Sequence, residues 1–510
     1  MRSRKGPEGP FLFVRIKSGR ISPCSIRPLR IESRLNHRTP GMLTFATGKF
    51  RHCDGLSRRS FLKAGALGIG GLSLADMLRA ESNSGIGSSN KAVINIHLDG
   101  GPPQMDMIDP KPEAPIEIRG EFKPIRSSIP GLHLTELMPR MAKSADKFAF
   151  IRSLQGSAGR HDAFQCQSGF SFRELESIGG RPAMGCAVSK LLASPTDTAP
   201  AFVDILQGRG LARNSARPGF LGPAYRPFRP DISHMFHREL EPGMQNELAK
   251  LGGGHQINLG LIEGLTAGRL GDRVALLKSM DRIRRDVDRS GQMAALDEFT
   301  QQAVSILTSG QFAAAMDLEN EDPKMLERYT PRVPDPDPRN YTMEGAIAGR
   351  KLLLARRLVE AGVRCVSVSI SDFDTHSNNF NRMRTIGPLV DHALTTLIED
   401  LEERGMIDDV SIVAWGEFGR TPKINDKAGR DHWPRVGMAL MAGGGMKTGQ
   451  VIGATDRTAS DVTDRPVSYQ DIIATLYHNL GIDARSITVE DTTGRPQYLI
   501  DAGAPLKELV

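Results

Sequence analysis

Little in this 510-residue chain supports covalent cross-linking or a membrane span. Of its five cysteines only Cys166, Cys186 and Cys365 lie beyond residue 80, an odd number with no C-x-x-C pair. A disulfide framework is thereby excluded, and buried thiols remain. No segment approaches about 18 consecutive apolar residues, so the mature part carries no predicted transmembrane helix. The G-x-S-x-G elbow, the P-loop and H-E-x-x-H are all missing. Gly65, Gly68, Gly70 and Gly71 miss the G-x-G-x-x-G spacing and follow no strand. The run Gly443-Gly444-Gly445-Met446-Lys447-Thr448 lacks P-loop spacing and reads as a turn after a strand.

An excess of charge is present, but only at one end. The formal net charge is +7, yet 16 of the 66 basic and only 4 of the 59 acidic residues fall within residues 1–80. The remainder carries a balance of −5, a sign that repels a phosphate backbone, so no nucleic-acid partner is expected. The basic segment contains Ser57-Arg58-Arg59-Ser60-Phe61-Leu62-Lys63, followed by a moderately apolar, Gly- and Ala-rich stretch from Ala64 to Leu78. Paired arginines before a short apolar stretch read as a twin-arginine export signal spanning 42–80. The twin-arginine machinery is then a partner, and the location is periplasmic or secreted. Met42 would give the signal an ordinary charged lead-in, so 1–41 is expected to precede the true start. Leu78-Arg79-Ala80 is a poor small-residue cleavage site, which leaves removal of the signal open.

Beyond a Ser/Gly-rich linker at 81–90, short apolar runs alternate with helical patterns. Strands are expected at Ala92 to Leu98, Lys147 to Leu154, Val363 to Ile370, Val410 to Trp415 and Val436 to Ala442. Helices are expected at Ala346 to Ala361, Gly387 to Arg404 and Tyr469 to Leu480. Between about 244 and 328 the pattern is helical. Leu276, Met280, Ile283 and Val287 share one face, as do Leu296, Phe299, Ala303 and Ile306. The alternation predicts an α/β fold with a mostly parallel central sheet, helices on both faces and a helical insertion at 244–328.

In such sheets ligands bind beyond the carboxyl ends of the strands. Three expected strands end there in carboxylates, Asp99, Asp372 and Glu417, and two histidines follow in polar turns, His376 and His432. Carboxylates with imidazoles are the donor set of a divalent cation: oxygen suits Mg, Mn or Ca, and imidazole moves the preference toward Zn or Mn. Each residue also has an ordinary alternative, since strand-end Asp residues form turns and Glu417 could pair with Arg420.

Four blocks of sequence resemble the DUF1501 family: Asp99-Gly100-Gly101-Pro102-Pro103-Gln104, Ala355 to Val363, Asp374-Thr375-His376, and Trp415-Gly416-Glu417-Phe418-Gly419-Arg420-Thr421-Pro422. The resemblance runs over about 90–500. It implies an alkaline phosphatase-like α/β/α sandwich over 91–510, in the group that includes sulfatases, phosphatases and phosphoglycerate mutases. The group's metal ligands would fall on Asp99, on Asp372 with His376, on Glu417 and on His432. Gly169 would match the glycine ending the helix that follows the group's nucleophile. Two departures stand out. Phe418 occupies a ligand histidine's place, and the nucleophile position falls near Gly159-Arg160-His161-Asp162, which has no hydroxyl or thiol in register. Ser157 is close but displaced, and the sulfatase C-x-P-x-R motif is absent.

The expected activity is therefore metal-dependent hydrolysis of sulfate or phosphate esters without a covalent nucleophile, using one or two divalent ions. The substrate would be a small anionic ester or a sulfated glycan. His161 and Asp162 are candidate acid, base or ligand groups, and Arg160 and Arg420 candidate contacts for an anionic group. Two other classes stand beside this one: a non-catalytic exported protein using the same cleft for an anionic glycan or surface partner, and a metal-free structural surface protein.

Overall fold

A computed structural model describes residues 91–175, 179–206, 215–236, 292–334 and 344–510, with scattered positions between 242 and 249. The extension at 1–41, the signal at 42–80, the linker at 81–90 and much of the helical block at 244–328 lie outside the described residues. So does the predicted face of Leu276, Met280, Ile283 and Val287. Within that block, Gln292–Ser309, Gln311–Met316 and Pro323–Arg328 are helical. Among the described residues no helix is long and apolar enough to cross a membrane.

The frame is an eight-stranded sheet. Its strands are β1 (Ala92–Leu98), β2 (Ala149–Gln155), β3 (Phe202–Ile205), β4 (Cys365–Ile370), β5 (Val410–Trp415), β6 (Gly437–Gly443), β7 (Gln450–Ile452) and β8 (Val467–Ser468). They lie in the order β7-β2-β6-β5-β1-β4-β3, with β8 also paired to β2. Every pairing is parallel except those of β6, which runs antiparallel to β2 and β5. The sequence pattern treats β6 as one more strand of a parallel series. The reversal follows from its connection: between Trp415 and Gly437 there is no helix, only a loop and a short hairpin. A parallel return needs a crossover, commonly helical, whereas an antiparallel neighbour can be reached by a loop.

Burial on both faces explains the near-continuous apolar strands. In β1, Ala92, Ile94, Ile96 and Leu98 belong to one core and Val93 to the other, as the period of two requires. The first core is closed by helices α3 (Arg350–Glu360) and α4 (Asn379–Glu403) through Leu352, Leu353, Leu389, Val390 and Leu397. The second is closed by α2 (Met184–Leu192) and α5 (Tyr469–Asn479) through Met184, Ala187, Ile472, Ile473 and Leu476. This is a three-layer α/β/α sandwich. Helix α5 starts on a reciprocal capping box between Ser468 and Asp471.

Helix α4 begins eight residues before the predicted start and carries Pro388 inside it. Gly387-Pro388 reads locally as a helix start, because proline lacks the N–H and disfavours helix in the residue before it. Tertiary burial overrides that preference: Met383 and Ile386, in the added turns, are both fully buried in the first core.

Candidate metal centre

Strand β1 lies between β4 and β5, so the chain segments leaving these three strands emerge side by side. Alternation in β1 sends Asn95 and His97 to the face opposite Ile94 and Ile96. Asn95 is spent on structure, donating to Cys166 O at 2.7 Å and accepting Trp415 Nε1–H at 2.8 Å. His97 is fully buried, yet neither ring nitrogen has a hydrogen-bond partner. Its Nε2 stands 3.6 Å from Asp99 Oδ1 and 3.6 Å from Glu417 Oε2. Burial of the imidazole opposes its protonation, but the nearby carboxylates of Asp99 and Glu417 together raise its pKa.

His97, Asp99 and Glu417 form the inner of two clusters able to hold a cation. The backbone packs tightly around it. Gly100 has φ +107° and donates its N–H to Glu417 Oε1 at 3.0 Å, and a Cβ there would lie 2.4 Å from Asp374 N. Only glycine meets both demands.

The outer cluster is His161, Asp374 and His432. His161 precedes helix α1 (Ala163–Ser168), which ends at Gly169 with φ +81°, a left-handed cap. His161 Nε2 lies 3.2 Å from Asp374 Oδ2, and His432 Nε2 lies 3.4 Å from Asp374 Oδ1. A zinc ion with ligands at about 2.0–2.1 Å has tetrahedral edges of about 3.3 Å, so these separations fit donors around one ion. His432 Nδ1 donates to Gly159 O at 3.3 Å, because a carbonyl can only accept, and its Nε2 lone pair faces the cluster. His376 adds a further nitrogen. Its Nδ1–H is held by Asp431 Oδ1 at 2.7 Å, and its Nε2 stands 3.0 Å from Asp374 Oδ1 and 3.1 Å from His432 Nε2. A carboxylate behind a metal-binding histidine fixes the ring's tautomer and orientation.

Burial alone would push Asp374 toward the neutral acid. The neighbouring His161 and His432 rings and the Arg420 guanidinium more than offset it and hold the group far below the usual carboxylate range. The outer cluster is also the open one: His161, Asp374 and His432 are 16, 15 and 25% exposed, against 0–2% for the inner three.

Of the sequence candidates, Asp99, Glu417, His432 and His161 all fall within the clusters, and His376 flanks the outer one. Asp372 does not join them. It adopts φ +81°, and its Oδ2 accepts Glu344 N–H at 3.0 Å. Glu344 in turn takes Ser371 N–H and a fully buried ion pair with Lys351 at 2.8 Å. This network fixes the turn that delivers Asp374 two residues later. Asp162 is the buried residue starting α1 and lies outside both clusters.

Arg420 is fully buried. Its guanidinium goes to the carbonyls of Gly100, Gly101 and Arg430 and to Asp374 Oδ1 at 2.7 Å. It therefore acts as counter-charge and clamp, out of reach of a substrate, and its ion-pair partner is Asp374 rather than Glu417. Arg160 is exposed, stacked 4.2 Å above Phe172. Phe418 packs on Gly101 and stacks on His432 with centroids 4.1 Å apart, so it braces a histidine of the outer cluster. Ser157 Oγ is tied to Glu417 O at 2.6 Å.

Sequence reasoning missed His97 and Asp374. His97 had a signal: Asn95, His97 and Asp99 form a polar stripe at alternate positions of an otherwise apolar strand. Asp374 had none that separates it from Asp372, since both lie in one polar turn.

No curated protein matches this chain in sequence. Among solved structures it is similar to a sulfatase from Pseudoalteromonas sp. (12% identity, 80% of this chain and 71% of that chain, TM-score 0.33). It is also similar to a lipoteichoic acid synthase from Listeria monocytogenes (11%, 82% and 78%, 0.32) and to the phosphonate monoester hydrolase of Agrobacterium radiobacter (13%, 77% and 74%, 0.27). Residues 90–510 match the family described as a protein of unknown function, DUF1501, and the chain belongs to that family.

Proposed function

We propose that this chain is a divalent-metal-dependent hydrolase of sulfate or phosphate esters that acts outside the cytoplasm. One observation carries the reading: six imidazole and carboxylate groups converge at adjacent strand ends as two clusters, and the buried His97 has no hydrogen-bond partner. A buried polar group without a partner is costly, and a cation among His97, Asp99 and Glu417 removes that cost. Divalent ions at such sites polarise an ester oxyanion and make nearby water more acidic.

The chain's own residues supply the rest. His161 occupies the stretch where the group's nucleophile would fall, so the reaction uses water directly. Arg160, exposed beside His161, offers an anchor for the ester's anionic group, whether from a small ester or a sulfated glycan. Asp374 and Glu417 hold negative charge against the cations, and Arg420 keeps Asp374 ionised from behind.

Elemental analysis of the full chain tests the metal directly, beside a Glu417→Ala, His432→Ala double variant and turnover of aryl sulfate and phosphate esters. The parent is expected to hold one or two ions and to turn over an ester, and the double variant to do neither. A parent that stays metal-free with Zn, Mn, Mg and Ca supplied ends the hydrolase reading. One observation favours a second reading, a non-catalytic binder of anionic glycans: both nitrogens of His161 are engaged by carboxylates. Metal binding without turnover of any ester supports it.

Export through the twin-arginine machinery to the periplasm or beyond belongs to the same proposal and rests on Arg58-Arg59. Changing both to lysine is expected to leave the protein in the cytoplasmic fraction, and unchanged fractionation refutes it.

A further inference from the structure

Resting on the metal reading above, we infer that Glu417 and His161 link the two clusters, with Glu417 serving the inner site as a ligand and the outer site as the group that positions His161. The two oxygens of Glu417 do different work. Oε2 faces His97 in the inner cluster at 3.6 Å. Oε1 accepts two hydrogen bonds, from Gly100 N at 3.0 Å and from His161 Nδ1 at 2.9 Å. A carboxylate accepts, so Nδ1 of His161 carries the proton. The opposite nitrogen, Nε2, then turns its lone pair to Asp374 Oδ2, 3.2 Å away. A lone pair facing a carboxylate oxygen at that distance is repulsive unless a cation or a proton lies between them.

His161 is thus placed as a ligand of the outer site, its tautomer set by a buried carboxylate that belongs to the inner site. Glu417 is 1% exposed and anchored by backbone, so the link is rigid. Phe418 and His432 pack against the same ring, at centroid distances of 5.1 and 4.6 Å, and limit its rotation. His161 is accordingly a ligand held by a positioning residue, and acid–base work at this position is excluded while both nitrogens are engaged.

The chemistry predicts different outcomes for two substitutions at one position. In Glu417→Gln the amide oxygen can keep the bonds to Gly100 and His161, while the amide nitrogen replaces the oxygen that faces His97. In Glu417→Ala both roles vanish. Carboxylates that hold a ligand histidine in place are worth about 10–100-fold in metal affinity.

The experiment is a Zn titration of the metal-stripped full chain, followed by elemental analysis after dialysis. The link requires the parent to hold two ions, and a parent that holds only one overturns it while leaving the metal reading standing. His97→Ala and Glu417→Gln should each hold one, with the outer affinity near that of the parent. Glu417→Ala should lose the inner ion and weaken the outer by about 10–100-fold. His161→Ala should lose the outer ion alone. Retention of two ions by His161→Ala, or of parental outer affinity by Glu417→Ala, overturns the link while leaving the metal site standing. A parent that binds no ion overturns both. If Glu417→Ala does not fold, histidine 15N NMR on the Zn-loaded parent still decides: Nδ1 of His161 must be the protonated nitrogen, and protonation at Nε2 refutes the assignment.

Discussion

Asp374→Asn is expected to remove the outer ion and lower ester turnover by at least ~100-fold, more than the loss of a group that only orients a ligand costs. Asp374 is contacted by more of the centre than any other residue: His161 at Oδ2, and His376, His432 and Arg420 at Oδ1. Its negative charge would balance a cation held there, and its two oxygens set the separation of the imidazoles. Asparagine keeps the shape and one acceptor, so Arg420 retains a partner and the fold should stand. The amide nitrogen, however, cannot bind a cation. Metal content and kcat/KM measured on the same preparation check the prediction. Parental turnover in Asp374→Asn would remove this residue from the machinery and with it the outer site.

The largest expected loss of stability is at Arg430. Its side chain is fully buried and forms a two-pronged ion pair with Asp106, Nε to Oδ2 at 2.9 Å and Nη2 to Oδ1 at 3.0 Å. It also donates to the carbonyls of Ile118 and Thr421, and its backbone N–H binds Thr375 O. Asn379, the first residue of α4, holds the same Asp106 oxygen at 2.7 Å. The guanidinium thus ties the loop after β1 to the loop carrying His432, and the backbone N–H of the same residue adds the turn carrying Asp374. Arg430→Ala leaves Asp106 as a buried charge facing only Asn379, at a cost of roughly 3–5 kcal/mol. That is a large share of the ~5–15 kcal/mol that holds a domain folded. Denaturant unfolding of the variant measures it. The double change Arg430→Met, Asp106→Leu removes both charges and should recover part of the loss. A loss below ~1 kcal/mol in Arg430→Ala would show that water or relaxation satisfies Asp106.

Much of the site was legible before the fold because it lies at strand ends. A buried strand announces itself by an uninterrupted apolar run, and the first polar residue after it marks the edge where ligands bind. Asp99 and Glu417 could be read that way, as could the histidines in the polar turns that follow. His161 follows from the family resemblance, which matches Gly169 to the glycine ending the helix after the group's nucleophile; that glycine ends α1 in a left-handed conformation.

What the residues alone determined was therefore the local grammar: which segments are strands, that both faces of the sheet are covered, and that carboxylates and imidazoles gather at one edge. These follow from periodicity and from the cost of burying polar groups, both of which act over a few residues. Tertiary structure alone decided the rest. Only the turn geometry at φ +81° selects Asp374 over Asp372. Only the packing of α1 against the strand ends sets His161 between Glu417 and Asp374 and makes Arg420 a buried clamp rather than a substrate contact. Those outcomes depend on groups that meet from far apart in sequence, 46 positions for Arg420 with Asp374 and 256 for His161 with Glu417, and no local pattern encodes a meeting over that distance.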